Sequence, residues 1–132
     1  MVSDIPGRTR VSHSGVVRKK ILLVDDDTDM LALSKRLLQA EGYEVADLSD
    51  GALAMDTMAA FRPDLVVLDL LMPNISGETL LKRMREDTAY ESTKIVVSSA
   101  KNFRSDQKTL LELGADAYVP NPYGSEDSVI QV

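Results

Sequence analysis

Residues 62–73 read RPDLVVLDLLMP. Within this stretch Leu65–Leu70 is an almost continuous apolar run holding two adjacent valines. Such a run reads as a short strand buried on both faces, the kind that forms a parallel sheet covered by helices. The exception inside the run is Asp69. A carboxylate in an apolar run is costly to bury without a partner, so its presence marks Asp69 as a candidate functional residue.

Working outward, four more short runs have strand character: Ile21–Val24, Tyr43–Leu48, Ile95–Ser98 and Ala117–Val119. Helical stripes separate them. Met30, Leu33, Leu37 and Leu38 form the first, and Ala52, Met55, Met58 and Ala59 the second. Gly77, Leu80, Leu81 and Met84 form a third, and Leu110, Leu111 and Leu113 a shorter fourth. Thr28 or Asp29 is suited to cap the first helix, Asp50 the second, Ser76 the third and Ser125 a short last one. Gly42 and Gly114 stand where helices should end. The alternation predicts a (βα)5 doubly wound α/β sandwich with right-handed crossovers. Residues 1–17, rich in Ser, Gly and Arg without hydrophobic period, read as a flexible basic arm, and 18–132 as one domain.

Composition removes several classes of function. The chain has 132 residues, no cysteine and one histidine, His13, which excludes thiolate and multi-histidine metal sites. Residues 1–20 hold Arg8, Arg10, Arg18, Lys19 and Lys20 against Asp4, a net of +4; the formal charge of −6 therefore leaves −10 on the remainder. An acidic body is unsuited to binding nucleic acid directly and fits a cation site or a basic partner. No apolar run approaches the length of a membrane span, and no secretory leader is visible, so a cytoplasmic setting without membrane contact is expected. There is no G-x-x-x-x-G-K-[ST] or G-x-G-x-x-G motif for nucleotides.

In an open parallel sheet, ligands bind outside the carboxyl ends of the strands. Asp25, Asp26 and Asp27 follow the first strand, Asp69 ends the third, Ser98 and Ser99 close the fourth, and Pro120-Asn121-Pro122 follows the fifth. The carboxylates would converge on one sheet edge, where their repulsion calls for a cation. An all-oxygen ligand set suits Mg2+ or Mn2+. Taken alone, Asp25 and Asp26 are equally well read as part of a helix cap.

Together, ILLVDDD at 21–27, RPDLVVLDLLMP at 62–73 with Gly77, IVVSSA at 95–100 and GADAYVPNP at 114–122 resemble the receiver domain of two-component response regulators. The resemblance implies a flavodoxin-like sheet of order 2-1-3-4-5 and a phosphoacceptor at Asp69. It implies Mg2+ held by Asp26 directly, by Asp25 largely through water, and by Asp69 and the backbone carbonyl of Leu71. It also implies a phosphoryl-binding and switch set of Ser99, Ala100 and Tyr118. The implied partners are a sensor histidine kinase or histidine phosphotransfer protein, and an effector reached through the face of the fourth strand, fourth helix and fifth strand. Such a domain is no enzyme beyond its own phosphorylation and dephosphorylation. Two departures stand out. Asn121 occupies the place of the family's lysine, which removes a charge-assisted bond to the phosphoryl group; Lys101 is the candidate substitute. The alternative reading is a degenerate receiver that binds partners without phosphorylation. The last helix has room for only about two turns, which fits either a short helix or a chain cut from a longer protein.

Overall fold

The computed structural model describes residues 18–70, 72, 74–99 and 104–120, with the backbone alone at Ser99, 104–107 and Pro120. Five parallel strands, β1 (Lys20–Val24), β2 (Glu44–Leu48), β3 (Leu65–Asp69), β4 (Lys94–Ser99) and β5 (Ala117–Pro120), alternate with helices α1 (Thr28–Ala40), α2 (Ala54–Phe61), α3 (Gly77–Glu86) and α4 (Arg104–Glu112). The sheet order is β2-β1-β3-β4-β5. This is the order that the receiver-domain resemblance implies, on the doubly wound sandwich that the alternation predicts. β5 lies at an edge, where Pro120 is tolerated because its missing N–H removes no central ladder bond.

The central strands β1, β3 and β4 are buried on both faces, as their near-continuous apolar runs require. Side chains alternate along each strand. Leu22, Val24, Val66, Leu68, Ile95 and Val97 pack against Ala54 and Met58 of α2, Leu80, Leu81 and Met84 of α3, and Leu110 of α4. Ile21, Leu23, Leu65, Val67 and Val96 face the other way, onto Leu31 of α1. Each such side chain withdrawn from water contributes roughly 1.5–3 kcal/mol.

The helix faces correct part of the sequence reading. In α3 the buried set is Gly77, Leu80, Leu81 and Met84, as expected. In α1 the buried residues are Leu31 and Ser34, with Leu38 half-buried, while Leu33 and Leu37 are 53% and 46% exposed. The i, i+3, i+7 row of α1 thus passes through a serine, which an apolar stripe overlooks. In α2 Ala54 and Met58 are buried and Ala59 faces solvent, as does Ala52 just before the helix. In α4 Leu110 is buried and Leu111 is exposed.

The caps follow the same pattern. Ser76 accepts the Thr79 N–H at 3.2 Å, and Asp50 caps a 3-10 turn at Gly51–Leu53 that leads into α2. The cap of α1 is Asp27, whose carboxylate accepts the Met30 N–H at 3.0 Å, in place of the expected Thr28 or Asp29. Gly42 and Gly114 end α1 and α4 at φ of +99° and +112°, conformations suited to glycine. Strand limits shift by a residue: β1 starts at Lys20, β2 at Glu44 and β4 at Lys94, while β3 ends at Asp69. Ser125, offered as a cap for a last helix, lies outside the described residues. No helix among the described residues is long and apolar enough to cross a membrane.

Candidate functional site: an acidic cluster at the carboxyl edge of the sheet

Three consecutive aspartates after β1 take three different positions. Asp25 continues the line of β1, its N–H donating to the Leu48 carbonyl at the end of β2 at 3.1 Å. Its side chain is buried, and Oδ1 accepts the Asp27 N–H at 2.9 Å. Asp27 turns away to cap α1. Between them Asp26 is exposed at the sheet edge. The fourth carboxylate, Asp69, ends β3 opposite Ser98 of β4 and is 6% exposed.

This arrangement places carboxylate oxygens of Asp25, Asp26 and Asp69 within 4.8 Å of one another. Burial pushes the Asp25 carboxyl above the usual aspartate value of 3.8, and the charges of Asp26 and Asp27 push it the same way. The Asp27 N–H is the main opposing influence, with the Asp69 side chain last. Asp25 Oδ2 is buried and accepts no hydrogen bond among the described residues. A buried, partnerless carboxylate oxygen beside two further carboxylates is unfavourable in an empty pocket. A hard divalent cation removes both penalties at once, and the all-oxygen donors fit Mg2+ or Mn2+.

The loop beyond Asp69 is held close to the strand end. The Gly77 N–H donates to the Leu70 carbonyl at 3.1 Å. A β-carbon on Gly77 would overlap the Asp69 carbonyl oxygen and come within 2.8 Å of Leu70 Cα. Only glycine lets the start of α3 approach the strand that carries the carboxylate. The Leu70 N–H, in turn, donates to the Ser98 carbonyl at 2.9 Å, extending the β3–β4 pairing past Asp69.

The sequence-predicted residues divide clearly. Asp25, Asp26 and Asp69 are brought together. Ser99 ends β4, opposite Pro120 of β5, with its backbone described and its side chain not. Tyr118 lies on β5 opposite Val97, partly buried against the α2–α3–α4 side of the core. Leu71, Ala100, Lys101 and Asn121 lie outside the described residues. What sequence reading passed over is the division of labour within Asp25–Asp27: the cap role of Asp27 had a signal, its position three residues before Met30.

A doubly wound five-stranded sheet with an acidic cluster at the carboxyl ends of its first and third strands defines a class of small α/β domains with an acidic pocket at the sheet edge. Comparison with known proteins makes this specific. The response regulator receiver domain family matches residues 21–132, and the chain belongs to that family. It is 35% identical over 116 residues to the DNA-binding response regulator MtrA of Mycolicibacterium smegmatis, a match covering 88% of this chain and 50% of the relative. With the transcriptional regulatory protein CpxR of Escherichia coli K12 it shares 37% identity over 113 residues, covering 86% and 47%. The chain thus spans about half the length of these curated relatives. Among solved structures it is similar to the chemotaxis protein CheY4 of Vibrio cholerae, with a TM-score of 0.77 at 26% identity, covering 81% of this chain and 89% of the other. The BeF3-activated N-terminal receiver domain of RstA from Klebsiella pneumoniae matches with a TM-score of 0.74 at 28% identity, covering 79% and 86%.

Proposed function

We propose that this receiver domain accepts a phosphoryl group on Asp69 in a Mg2+-dependent reaction and uses it to switch a protein-interaction surface. The observation that carries the reading is the buried, unpartnered Asp25 Oδ2 within 4.8 Å of Asp26 and Asp69 oxygens. A cluster serving only as caps has no reason to bury an unsatisfied carboxylate oxygen.

Asp25, Asp26 and Asp69, with the backbone carbonyl of Leu71, would hold the cation, which neutralises charge on the transferring group. Asp69 supplies the nucleophile: one carboxylate oxygen forms the new O–P bond as the N–P bond of a phosphohistidine donor breaks. The electron pair of that bond stays on the imidazole nitrogen, which then takes a proton. The reading is supported by the position of Asp69 at the end of β3 and by the close approach of Gly77 to the backbone behind it. The donor is a sensor histidine kinase or a histidine phosphotransfer protein.

The acyl phosphate carries roughly two negative charges, about one more than the carboxylate it replaces, and new acceptor oxygens. Ser99 and the Ala100 amide are positioned by sequence to bind them, and movement of Ser99 would free Tyr118 to turn inward. The β4–α4–β5 face then changes shape as a population shift, and an effector is read out there. Asn121 brings a neutral donor where the family has a lysine, so the phosphorylated form is held less strongly, with Lys101 as the candidate second cation. The second reading, a partner-binding module that needs no phosphorylation, rests on Asn121 alone.

Borohydride reduction after transfer from a phosphorylated histidine kinase tests the site. Conversion of residue 69 to homoserine, with Asp25, Asp26 and Asp27 unchanged, supports the assignment. Labelling at another aspartate would overturn it.

A further inference from the structure

The opposite edge of the sheet carries a cleft of the opposite charge. About 250 Å³ in volume, it is formed by the segments entering β1, β3 and β4 and includes Lys19, Arg62, Asp64, Ser92, Thr93 and Lys94 in its lining. Three cations face one carboxylate here, on a body that is otherwise strongly acidic. Asp64 is already engaged: its Oδ2 accepts the Lys20 N–H at 2.8 Å, and its N–H and carbonyl bond to the Lys20 carbonyl and the Lys94 N–H. By contrast, the side chains of Lys19, Arg62 and Lys94 form no hydrogen bond or ion pair among the described residues.

Arg62 adds an independent observation. It ends α2 with φ of 55°, the one described residue other than glycine with positive φ, and its N–H closes the helix onto the Met58 carbonyl at 2.9 Å. Glycine is the residue that this left-handed cap favours, and arginine is strained there. The strain leaves a guanidinium, the side chain best shaped to grip a phosphate with two parallel bonds, at the wall of the cleft.

We propose that this cleft is a binding site for a small phosphate-bearing anion, separate from the acidic cluster at the far edge of the sheet. Arg62 grips the phosphoryl oxygens, Lys19 and Lys94 balance the charge, and the Ser92 and Thr93 hydroxyls supply neutral donors. The volume lies below the usual 300–1,000 Å³ of sites for drug-sized ligands. It therefore favours inorganic phosphate or a small phosphomonoester over a nucleotide.

The test is amide chemical-shift titration of the full chain with sodium phosphate at constant ionic strength and without divalent cations. Parallel arms use glycerol phosphate, acetate and sodium chloride. Saturable shifts confined to the amides of residues 62, 64 and 92–94, with phosphate or glycerol phosphate but not with acetate or chloride, are expected; the stronger of the two identifies the source. Arg62→Gly should fold at least as stably and bind about tenfold more weakly, a loss of about 1.4 kcal/mol. The Lys19→Gln/Lys94→Gln double variant, changed only at exposed side chains, should weaken binding likewise. Asp69→Asn should bind as the parent does, which separates this site from the phosphoacceptor. Shifts that match the chloride arm, or that persist unchanged in both cleft variants, would overturn the proposal.

Discussion

Gly77 and Asp69 are in van der Waals contact through backbone atoms: no side chain of any size fits on residue 77 without displacing the Asp69 carbonyl. The first turn of α3 thus serves as a backstop for the strand end that carries the candidate acceptor. Gly77→Ala forces an overpacked contact against main chain, which cannot yield as a side chain can. The expected cost is about 1–3 kcal/mol in urea denaturation, together with slower phosphorylation, because Asp69 moves with its backbone. A variant as stable and as reactive as the parent would show that the loop has slack that the geometry does not display.

Asp25 is expected to destabilise the metal-free fold. Its folded-state carboxyl lies above the usual 3.8 chiefly through burial, so the folded chain binds that proton more tightly than the unfolded one. The resulting stability is present at low pH and is lost as pH rises through the raised folded value. Asp25→Asn should therefore raise the metal-free melting temperature at neutral pH, with the advantage shrinking toward pH 4. Adding Mg2+ should stabilise the parent and leave the variant nearly unmoved. Thermal melts at several pH values, with and without Mg2+, check both signs.

Arg85 binds the amino edge of the sheet together. Its Nε donates to the Gly114 carbonyl at 2.7 Å, Nη1 to the Tyr90 and Thr93 carbonyls at 3.0 and 2.8 Å, and Nη2 to Asp116 Oδ2 at 2.7 Å. The same Asp116 oxygen accepts the Ile95 N–H at 2.8 Å. Loss of these four bonds in Arg85→Ala should cost roughly 2–4 kcal/mol. Arg85→Lys should recover little, since one ammonium cannot span the planar fork. Mg2+ affinity should stay near the parental value, because the acidic cluster lies at the other edge. Denaturation and Mg2+ titration of the two variants separate these effects.

Ser34 is 2% exposed in the middle of α1, and its Oγ has no hydrogen-bond partner among the described residues. Ser34→Ala removes an unsatisfied hydroxyl and improves helix propensity. A gain of about 1 kcal/mol is expected by chemical denaturation, with metal binding unchanged. A loss of stability would mean that the hydroxyl is satisfied by solvent.

Much of this architecture is legible in the sequence because it depends on local pattern. The runs ILLV and LVVLD become central strands buried on both faces, Ser76 caps α3, and Gly42 and Gly114 take positive φ. Asp69 stands out because a carboxylate in an apolar strand has few explanations. The features that escaped depend on relationships that pattern does not encode. Hydrophobicity placed Leu33 and Leu37 inward, yet the buried row of α1 runs through Ser34. Capping preference offered Thr28 and Asp29, yet the turn after Asp25 puts Asp27 at the cap. The left-handed end of α2 falls on an arginine, where no glycine signals it. Arg85 and Asp116 meet across 31 residues of chain, beyond the reach of any local rule.

The central claim is that Asp69 takes a phosphoryl group with help from a cation at Asp25 and Asp26. Intact-mass measurement after incubation with a small phosphodonor, with and without Mg2+, tests it most directly beside an Asp69→Asn variant. The account predicts a gain of one phosphoryl group in the parent with Mg2+, and none without Mg2+ or in the variant. No gain in a folded parent, from small donors and histidine kinases alike, would contradict it and favour the phosphorylation-independent reading that Asn121 raises.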